Sequence, residues 1–216
     1  MPDSLNHHVV VAIGRSFGAG GREVGIELAR RLGISYYDKE LLKEAARRSG
    51  MNVGVFEKND ERAPSLLSGL LPLSMSYNVM SWYGSGSFGG DEVYRAQSEF
   101  IKEIAEKESC VIVGRTADYV LRNSPDLISV FLHAPEDVCV DRIMDRSDCC
   151  SRDQARTILR RTNRLRADFY NFYTDRKWGS SSAYDLTLDS SKISIESIVD
   201  MIISYINVRQ HDRHRP

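Results

Sequence analysis

The fold of this 216-residue chain follows from one stretch near its N-terminus, His8-Val-Val-Val-Ala-Ile13 followed by Gly14-Arg-Ser-Phe-Gly-Ala-Gly-Gly21. The first part is an uninterrupted, largely β-branched run, which is typical of a strand buried on both faces of a parallel sheet. The glycines of the second part predict a tight turn. Beyond Gly21 the apolar residues take helical spacing, so the stretch predicts a strand, a glycine turn and a helix.

The rest of the chain repeats this alternation. The helix after the turn carries Val24, Leu28 and Leu32 four residues apart, and Gly33 is placed to end it. Further strands are predicted at 34–37, 110–113, 127–132 and 184–188. Further helices are predicted at 39–49, 93–104, 135–146, from 151 and from 194, with a frayed tail over 209–216. The alternation predicts an α/β fold, a doubly wound five-stranded parallel sheet with helices on both faces.

Length and composition predict one domain over residues 1–216, since the chain is too short for two ordinary domains. Residues 51–90 form a predicted insertion, because prolines and glycines break any long element while leucines make it too apolar for a linker. It can complete an acceptor pocket, form a homodimer interface, or do both. Residues 151–180 are predicted to be a basic segment.

Bulk properties exclude some classes of protein. A formal charge of -1 argues against a globally basic nucleic-acid binder. No apolar run approaches the roughly 20 residues that span a bilayer, and the first residues lack signal-peptide features, so we expect a soluble, cytoplasmic protein. The cysteines form no C-x-x-C pair and are expected to be free thiols: Cys110, Cys139, Cys149 and Cys150.

The glycine turn is a candidate phosphate site, because a turn between a strand and a helix presents backbone N–H groups and the positive end of the helix dipole. The P-loop pattern G-x-x-x-x-G-K-[ST] fits imperfectly. The preferred alignment puts Arg22 at the lysine, Ser16 at the first glycine and Glu23 at the hydroxyl position. A shifted alignment puts Gly21 at the lysine. The predicted phosphate-binding residues are Ser16, Gly18, Ala19, Gly20, Gly21, Arg22 and Glu23. The alternative is a turn with only a structural role.

Taken together, these features resemble the cytidylate-kinase-like family, which are relatives of bacterial cytidylate kinase within the P-loop nucleoside monophosphate kinases. The resemblance spans nearly the whole chain and depends on the order of its motifs. They are the turn Gly14 to Arg22, Tyr36-Tyr-Asp-Lys-Glu-Leu-Leu42, Ala96-Gln-Ser98, Cys110-Val-Ile-Val-Gly-Arg-Thr-Ala-Asp118, Arg164-Leu-Arg-Ala-Asp-Phe-Tyr170, Tyr173-Thr174, Lys177-Trp-Gly179 and Leu188-Asp-Ser-Ser191.

The resemblance implies that the turn holds the phosphates of ATP, that the segment around Asp38 and the insertion form the acceptor site, and that the basic segment closes as a lid. It also implies a role for Gly114 and Arg115 at the acceptor monophosphate, and Mg²⁺ as a cofactor. The chain departs from the pattern where the turn lacks the lysine and the hydroxyl, and where Asn163 stands in place of an acid. The metal ligands stay unidentified.

Three further residues are candidates for substrate binding. Arg115 follows a buried strand and a glycine, at the sheet edge where ligands of such folds bind. Asp118 either contributes to the site or orients Arg115 from three residues further on. Asp38 ends the second strand and either contacts a nucleotide or caps the following helix.

Six arginines between 151 and 167 supply candidate catalytic cations. Like charges at i and i+4 on a helix repel each other, so the stripe indicates an anionic partner such as a triphosphate. Arg152 and Arg156 stand beside Asp153 and are assigned to a solvated face. The residues predicted to act in catalysis are Arg22, Arg161, Arg164 and Arg166.

The sequence therefore predicts ATP- and Mg²⁺-dependent phosphoryl transfer to a nucleoside monophosphate, with CMP as the first acceptor to test. A kinase of another small, hydroxyl-bearing substrate is one alternative, with Asp38 as its candidate base. A second alternative is a nucleotide sensor without turnover. A nucleic-acid binder is ranked last because of the overall charge.

Overall fold

Five parallel strands form one sheet in the computed structural model, which describes residues 8–38, 90–146 and 151–213. The order across the sheet is β2-β3-β1-β4-β5, so the first strand lies at its centre. The strands are Val10–Arg15 (β1), Ser35–Tyr37 (β2), Cys110–Val113 (β3), Leu127–His133 (β4) and Leu186–Asp189 (β5). The predicted parallel sheet is confirmed.

The described helices alternate with these strands as predicted. They are Gly21–Leu32 (α1), Gly90–Lys107 (α2), Ala117–Val120 (α3), Glu136–Asp145 (α4), Arg152–Thr174 (α5) and Ile195–Arg213 (α6), with a 3₁₀ turn at Ser181–Ala183. None of them is long and apolar enough to cross a membrane. The predicted helix 39–49 and the predicted insertion, apart from the first residue of α2, lie outside the described residues, as do Cys149 and Cys150.

The sheet is covered on both faces because alternate residues of its strands are apolar. Val11 and Ile13 of β1 belong to a core with α1, α4, α5 and α6. Val10 and Ala12 belong to a second core with α2 and α3. All four side chains are buried. The uninterrupted apolar run of the N-terminal stretch is therefore explained by a central strand that faces helices on both sides.

Most predicted boundaries differ from the structure by one to three residues, and two of the differences bear on the packing of the sheet. The first strand continues to Arg15, because Gly14 and Arg15 pair with Phe131 and Leu132 of β4. The predicted frayed tail is wrong over Arg209–Arg213, where α6 continues. There the Nη1 atom of Arg209 donates to the carbonyl oxygen of Leu127 at 2.7 Å, which ties the end of the helix to the sheet.

The strand order positions a ligand site. All strands are parallel, so their carboxyl ends lie at one edge of the sheet. From β1 the chain goes to β2 and β3 on one side, and then to β4 and β5 on the other. Ligands of open parallel sheets bind in the crevice where the direction of winding changes, which here lies beside the end of β1.

Helix α5 begins with the predicted capping box. The Oγ atom of Ser151 accepts from the backbone N–H of Gln154 at 3.3 Å, and the Gln154 side chain accepts from the N–H of Ser151 at 2.9 Å. This reciprocal pair satisfies two N–H groups that have no partner inside the helix. It fixes the start of the helix that carries most of the candidate arginines.

Replacing Ser151 by alanine is expected to lower the free energy of unfolding by about 1 kcal/mol, because the cap is lost. Ser204 is the matched control, since its hydroxyl bonds only the Asp200 carbonyl on the exposed face of α6, and alanine is the better helix former there. Urea denaturation of Ser151→Ala and Ser204→Ala measures both changes. Equal losses in the two variants would contradict the capping role.

Candidate functional site

The glycine turn connects β1 to α1 at the centre of the carboxyl edge. Gly20 is the N-cap of α1 and has a left-handed backbone with φ of 80°, so Gly21 is the first helical residue. The N–H of Ser16 donates to the carbonyl oxygen of Leu132 at 2.9 Å, which attaches the start of the turn to the end of β4. The turn therefore has one defined position on the sheet.

Helix α5 holds the first half of the turn. The Oδ1 atom of Asn163 accepts from the N–H of Phe17 at 2.7 Å. The Nη1 atom of Arg166 donates to the carbonyl oxygen of Arg15 at 3.1 Å, and its guanidinium lies 5.4 Å from the centre of the Phe17 ring. Arg166, one of the predicted catalytic arginines of α5, thus reaches the turn with its side chain.

Two later segments hold the second half of the turn by its carbonyl groups. The Oγ atom of Ser190, just after β5, donates to the carbonyl oxygen of Ala19 at 2.8 Å. The Nη1 atom of Arg142 in α4 donates to the carbonyl oxygen of Gly18 at 3.4 Å and to Ser190 Oγ at 3.0 Å. These oxygens are therefore engaged away from any ligand that approaches the amides.

Several amides of the turn have no acceptor within the described part of the chain. They belong to Gly18, Gly20, Gly21 and Arg22. The first amides of a helix cannot bond within it, and together with the helix dipole they create a positive potential at its N-terminus. Such an arrangement suits a phosphate group.

The Arg15 side chain crosses from the turn to β3. An added Cβ at Gly21 would lie 2.7 Å from Arg15 Cγ and 2.8 Å from Arg15 Cβ. An added Cβ at Gly114 would overlap Nη1 of the same guanidinium. Both glycines are therefore required for the path of the Arg15 side chain. The sequence alone did not indicate a role for Arg15.

Arg22 and Asp38, predicted for different parts of the site, lie together. The Nε atom of Arg22 is 3.4 Å from Asp38 Oδ2, and the two side chains are 70% and 16% exposed. The Tyr36 hydroxyl lies 3.4 Å from the same oxygen. Burial, followed by the charge of Asp38, raises the pKa of Tyr36 to about 12. The end of β2 thus brings a carboxylate and a neutral phenol to the start of α1.

Glu23 lies in the first turn of α1, where a carboxylate is favoured by the helix dipole. Its Oε1 atom is 2.5 Å from the Arg146 guanidinium. Its Oε2 atom is buried and has no hydrogen-bond partner among the residues that the structure describes.

The turn after β3 is strained. Gly114, Arg115 and Thr116 have φ angles of 84°, 62° and 52° in succession. For an arginine and a β-branched residue this left-handed conformation costs on the order of 1–3 kcal/mol each, and it persists where the surroundings enforce it. The Oγ1 atom of Thr116 is hydrogen-bonded to the Tyr94 hydroxyl at 3.1 Å. The strained turn brings the backbone at Gly114, the residue before Arg115, against the Arg15 guanidinium.

Asp118 is 7% exposed and its Oδ2 atom accepts from the Tyr170 hydroxyl at 2.7 Å. Burial raises the pKa of Asp118, although the bond from Tyr170 opposes this. The prediction that Arg115 and Asp118 face each other on a helix is wrong in its geometry, because Arg115 precedes α3 and has a left-handed backbone. The hydrogen bond seen for Asp118 connects α3 to α5.

The arginine stripe of α5 is largely neutralised within the chain. Three of its members pair with acidic residues of α4: Arg152 with Asp137 and Asp141, Arg156 with Glu136 and Asp137, and Arg160 with Glu136. An anionic ligand is therefore not needed to explain these three. Arg164 is 84% exposed and lies 3.8 Å from Asp168, and Arg161 is also exposed.

A cavity of about 350 Å³ adjoins the second half of the turn. Ala19 and Gly20 form the wall nearest the turn, and Arg142 and Ser190 contribute polar groups. The remaining lining residues come from α1, α4 and the start of α6: Val24, Asp145, Arg146, Ile193, Ser194, Ile195 and Ile198. The cavity combines an apolar wall with a few polar groups, as small-molecule sites do.

Metal-binding residues are sparse in the described ranges. Within 8–38, 90–146 and 151–213, no group of three or more histidine, cysteine or acidic side chains could hold a metal ion. Cys110 and Cys139 are buried free thiols, and burial raises the pKa of Cys110 to about 12.

Sequence reasoning missed four contributors to the turn: Arg15, Arg142, Asn163 and Ser190. Two of them, Arg15 and Ser190, lie inside quoted motifs, and Asn163 was named as a departure from the family pattern, so their segments were identified although their contacts were not. Ser190, for example, belongs to the Leu188-Asp-Ser-Ser191 motif. Arg142 carries no local signal, because it reaches the turn only through the packing of α4.

Comparison with known proteins agrees with this architecture. The model of the cytidylate kinase-like family matches residues 10–192. An uncharacterized protein from Eubacterium ventriosum is 30% identical, with a TM-score of 0.69, and the match covers 93% of this chain and 99% of that one. No curated protein matches the sequence significantly.

Two kinases share the fold at low identity. Shikimate kinase from Bacteroides thetaiotaomicron is 17% identical with a TM-score of 0.53, over 92% of this chain and 98% of that one. A gluconokinase from Sinorhizobium meliloti is 13% identical with a TM-score of 0.52, over 96% and 98%. The five-stranded parallel sheet with flanking helices is thus a fold that these two kinases share.

Gly18→Ala is expected to destabilise the chain more than Gly33→Ala. Both glycines have positive φ, so either change costs about 1–2 kcal/mol in backbone strain. An alanine at 18 would also place its Cβ 2.8 Å from the Cys139 carbonyl oxygen, whereas the space at Gly33 is open. This overlap adds about 1–3 kcal/mol. Urea denaturation compares the variants, and equal losses would contradict the close packing of the turn on α4.

Asp118→Asn is expected to gain stability relative to the wild type as pH rises. The pKa of Asp118 is raised in the folded state from its ordinary value of 3.8. Its contribution to stability is therefore present below that value and is lost as pH increases through the folded pKa. Asparagine does not titrate and can still accept from Tyr170. Urea denaturation of both proteins from acidic to neutral pH tests this, and a pH-independent difference would contradict it.

Proposed function

The chain belongs to the cytidylate kinase-like family, and on that premise we propose that it transfers the terminal phosphoryl group of ATP to a small acceptor with Mg²⁺ as cofactor. The first acceptor to test is a nucleoside monophosphate such as CMP. A monophosphate is already ionised near neutral pH, so the transfer needs no dedicated base. The main task of the protein is then to position two nucleotides and to neutralise charge.

The observation that carries this proposal is the state of the glycine turn. Its carbonyl groups at Arg15, Gly18 and Ala19 accept bonds from side chains behind it. Its amides at Gly20, Gly21 and Arg22 have no acceptor within the described residues. The bonds to its carbonyl groups thus hold the turn in place without a ligand. The N–H groups of these three residues can donate hydrogen bonds to one. Donors held in place in advance stabilise developing negative charge at little cost of reorganisation.

The donor nucleotide is proposed to lie along the turn. Its phosphates would contact the predicted residues 16, 18–21, 22 and 23, and its base and sugar would enter the 350 Å³ cavity beside Ala19 and Gly20. That volume falls within the range of small-molecule sites, and Arg142 and Ser190 supply polar groups that can fix orientation. Both residues also hold the turn, so binding in the cavity and the shape of the turn are physically linked.

Mg²⁺ fits the residues present through Glu23. Its Oε2 atom, at the first turn of α1, is a buried carboxylate oxygen without a hydrogen-bond partner in the described ranges. Magnesium prefers oxygen ligands and is often held by one or two carboxylates together with substrate phosphates. When bound, the ion would neutralise charge on the transferring group. Glu23 is therefore proposed as the residue that holds it.

The acceptor is proposed to lie between the ends of β2 and β3. Arg115 would contact its phosphate, and Asp38 its base or ribose. Asp118 supports this region indirectly through its bond to Tyr170. Arg22 and Arg166 would act as catalytic cations near the turn, and Arg161 and Arg164 would join them if residues 151–180 close as a lid.

A kinase of a small hydroxyl-bearing substrate is a second candidate. Asp38 favours it, because this carboxylate is only 16% exposed and lies beside the turn, where a general base would be needed. The neighbours of similar fold include a shikimate kinase and a gluconokinase by name.

A nucleotide sensor without turnover is a third candidate function, supported by the lack of the P-loop lysine and hydroxyl. A cytoplasmic location, a homodimer and a single domain over residues 1–216 stay predictions.

The test is ADP release from ATP and Mg²⁺ across a panel of nucleoside monophosphates, shikimate and gluconate. Turnover with one acceptor would identify the substrate class.

Arg166→Ala is expected to lower kcat by about 10²–10³, the range for loss of one transition-state donor. Arg30→Ala is the matched control, because Arg30 pairs with Glu27 on the exposed side of α1.

Calorimetry with ATP separates the remaining outcomes. ATP binding without phosphorylation of any acceptor would favour the sensor. If neither binding nor turnover is detected, the proposal is wrong. A loss of the same size in Arg30→Ala as in Arg166→Ala would show that the effect is not specific to the turn.

A further inference from the structure

We propose that Arg15 supplies the phosphate-binding cation that a P-loop carries as its lysine, and that it does so from the opposite end of the turn. The inference rests on the proposed function, since it concerns how the same turn holds the phosphates of a nucleotide. It goes beyond that function because it assigns the role to a residue outside the predicted set.

The start of α1 decides the register of the pattern. In G-x-x-x-x-G-K-[ST] the lysine follows the second glycine and opens the helix. Here Gly20 is the N-cap and Gly21 the first helical residue. With Gly20 as the second glycine, the lysine position falls on Gly21 and the first glycine falls on Arg15. The chain thus has a basic residue where the motif has its first glycine, and a glycine where the motif has its lysine.

Steric contacts couple the exchanged positions. A Cβ at Gly21 would lie 2.7 Å from Arg15 Cγ and 3.2 Å from Arg15 Cδ. Real Cβ atoms do not come this close to another side chain, so a lysine at 21 and the observed Arg15 cannot coexist. The stem of Arg15 therefore fills the space in which a lysine stem would begin.

The far end of Arg15 reaches the region between the two proposed substrates. Its Cζ atom lies 3.1 Å from the position of a Cβ at Gly114, and its Nη2 atom 3.3 Å. Gly114 precedes Arg115, the residue proposed for the acceptor phosphate. The guanidinium thus lies between the amides of α1 and the β3 turn, where a transferring phosphoryl group needs positive charge.

The other predicted candidate for the lysine role is Arg22, which is the second residue of α1. Its side chain is 70% exposed and pairs with Asp38 at the end of β2. A guanidinium can bind two phosphate oxygens at once and keeps its charge, so either arginine has suitable chemistry. The geometry favours Arg15, because its stem runs over the amide end of the helix.

The test is calorimetric titration with inorganic tripolyphosphate, which lacks a base and reports on the phosphate site alone. Arg15→Gln is expected to weaken binding at least about tenfold, as for loss of one charged hydrogen bond. Arg30→Gln, the matched control, is expected to stay within about twofold, because Arg30 pairs with Glu27 on the exposed side of α1. Arg22→Gln is measured beside it as the competing assignment, and its loss is expected to be smaller than that of Arg15→Gln. Thermal denaturation of each variant verifies that it is folded.

Moving the basic residue from position 15 to position 21 tests whether the two positions have exchanged roles. Gly21→Lys alone is expected to weaken tripolyphosphate binding, because the lysine stem overlaps Arg15. The double variant with Arg15→Gly and Gly21→Lys is expected to bind at least about tenfold more tightly than Arg15→Gly alone, since it restores one charge contact in the P-loop arrangement.

Two results would overturn the inference but not the proposed function. In the first, the wild type binds ATP, but Arg15→Gln does not weaken the binding of tripolyphosphate. In the second, the double variant binds tripolyphosphate no better than Arg15→Gly does. A large loss in Arg22→Gln with an unaffected Arg15→Gln would assign the role to Arg22. If the wild type binds neither ATP nor tripolyphosphate, the inference and the proposed function are both wrong.

Discussion

The turn after β1 depends on side chains that arrive from later parts of the chain. Asn163 and Arg166 hold its first half, while Arg142 and Ser190 hold its second half. A glycine-rich loop on its own has many accessible conformations and loses much entropy when it is ordered. The interactions from α4, α5 and the segment after β5 offset that cost. The shape of the site is therefore a property of the whole fold.

The sequence predicted the elements well because their signals are local. The β-branched runs identified the strands, Pro135 preceded α4, and the spacing of Ser151 and Gln154 gave the cap of α5. The contacts that complete the turn were not predictable, since Arg142 reaches it only through helix packing. The path of Arg15 over Gly21 was also hidden, because a glycine in a sequence does not show which side chain fills its space.

Helix α5 shows how charges of one sign on one helix can serve different purposes. The side of the helix with Arg152, Arg156 and Arg160 meets the acidic residues of α4, which removes repulsion along the stripe and fixes the two helices together. Another side presents Asn163 and Arg166 to the turn. Sequence spacing alone cannot separate the two sides, because it does not show where the acids of α4 lie.

The central position of β1 has a consequence for synthesis on the ribosome. Val10 pairs with Cys110 on one side and with Leu127 on the other, so neither neighbour of β1 exists until residues 110–113 have been made. An unpaired apolar strand is prone to aggregation, and distant pairings form slowly. Ser190, which closes the turn, is made later still. A nascent chain therefore exposes this apolar strand until β3 has been made, and it acquires the complete turn only after Ser190 has followed.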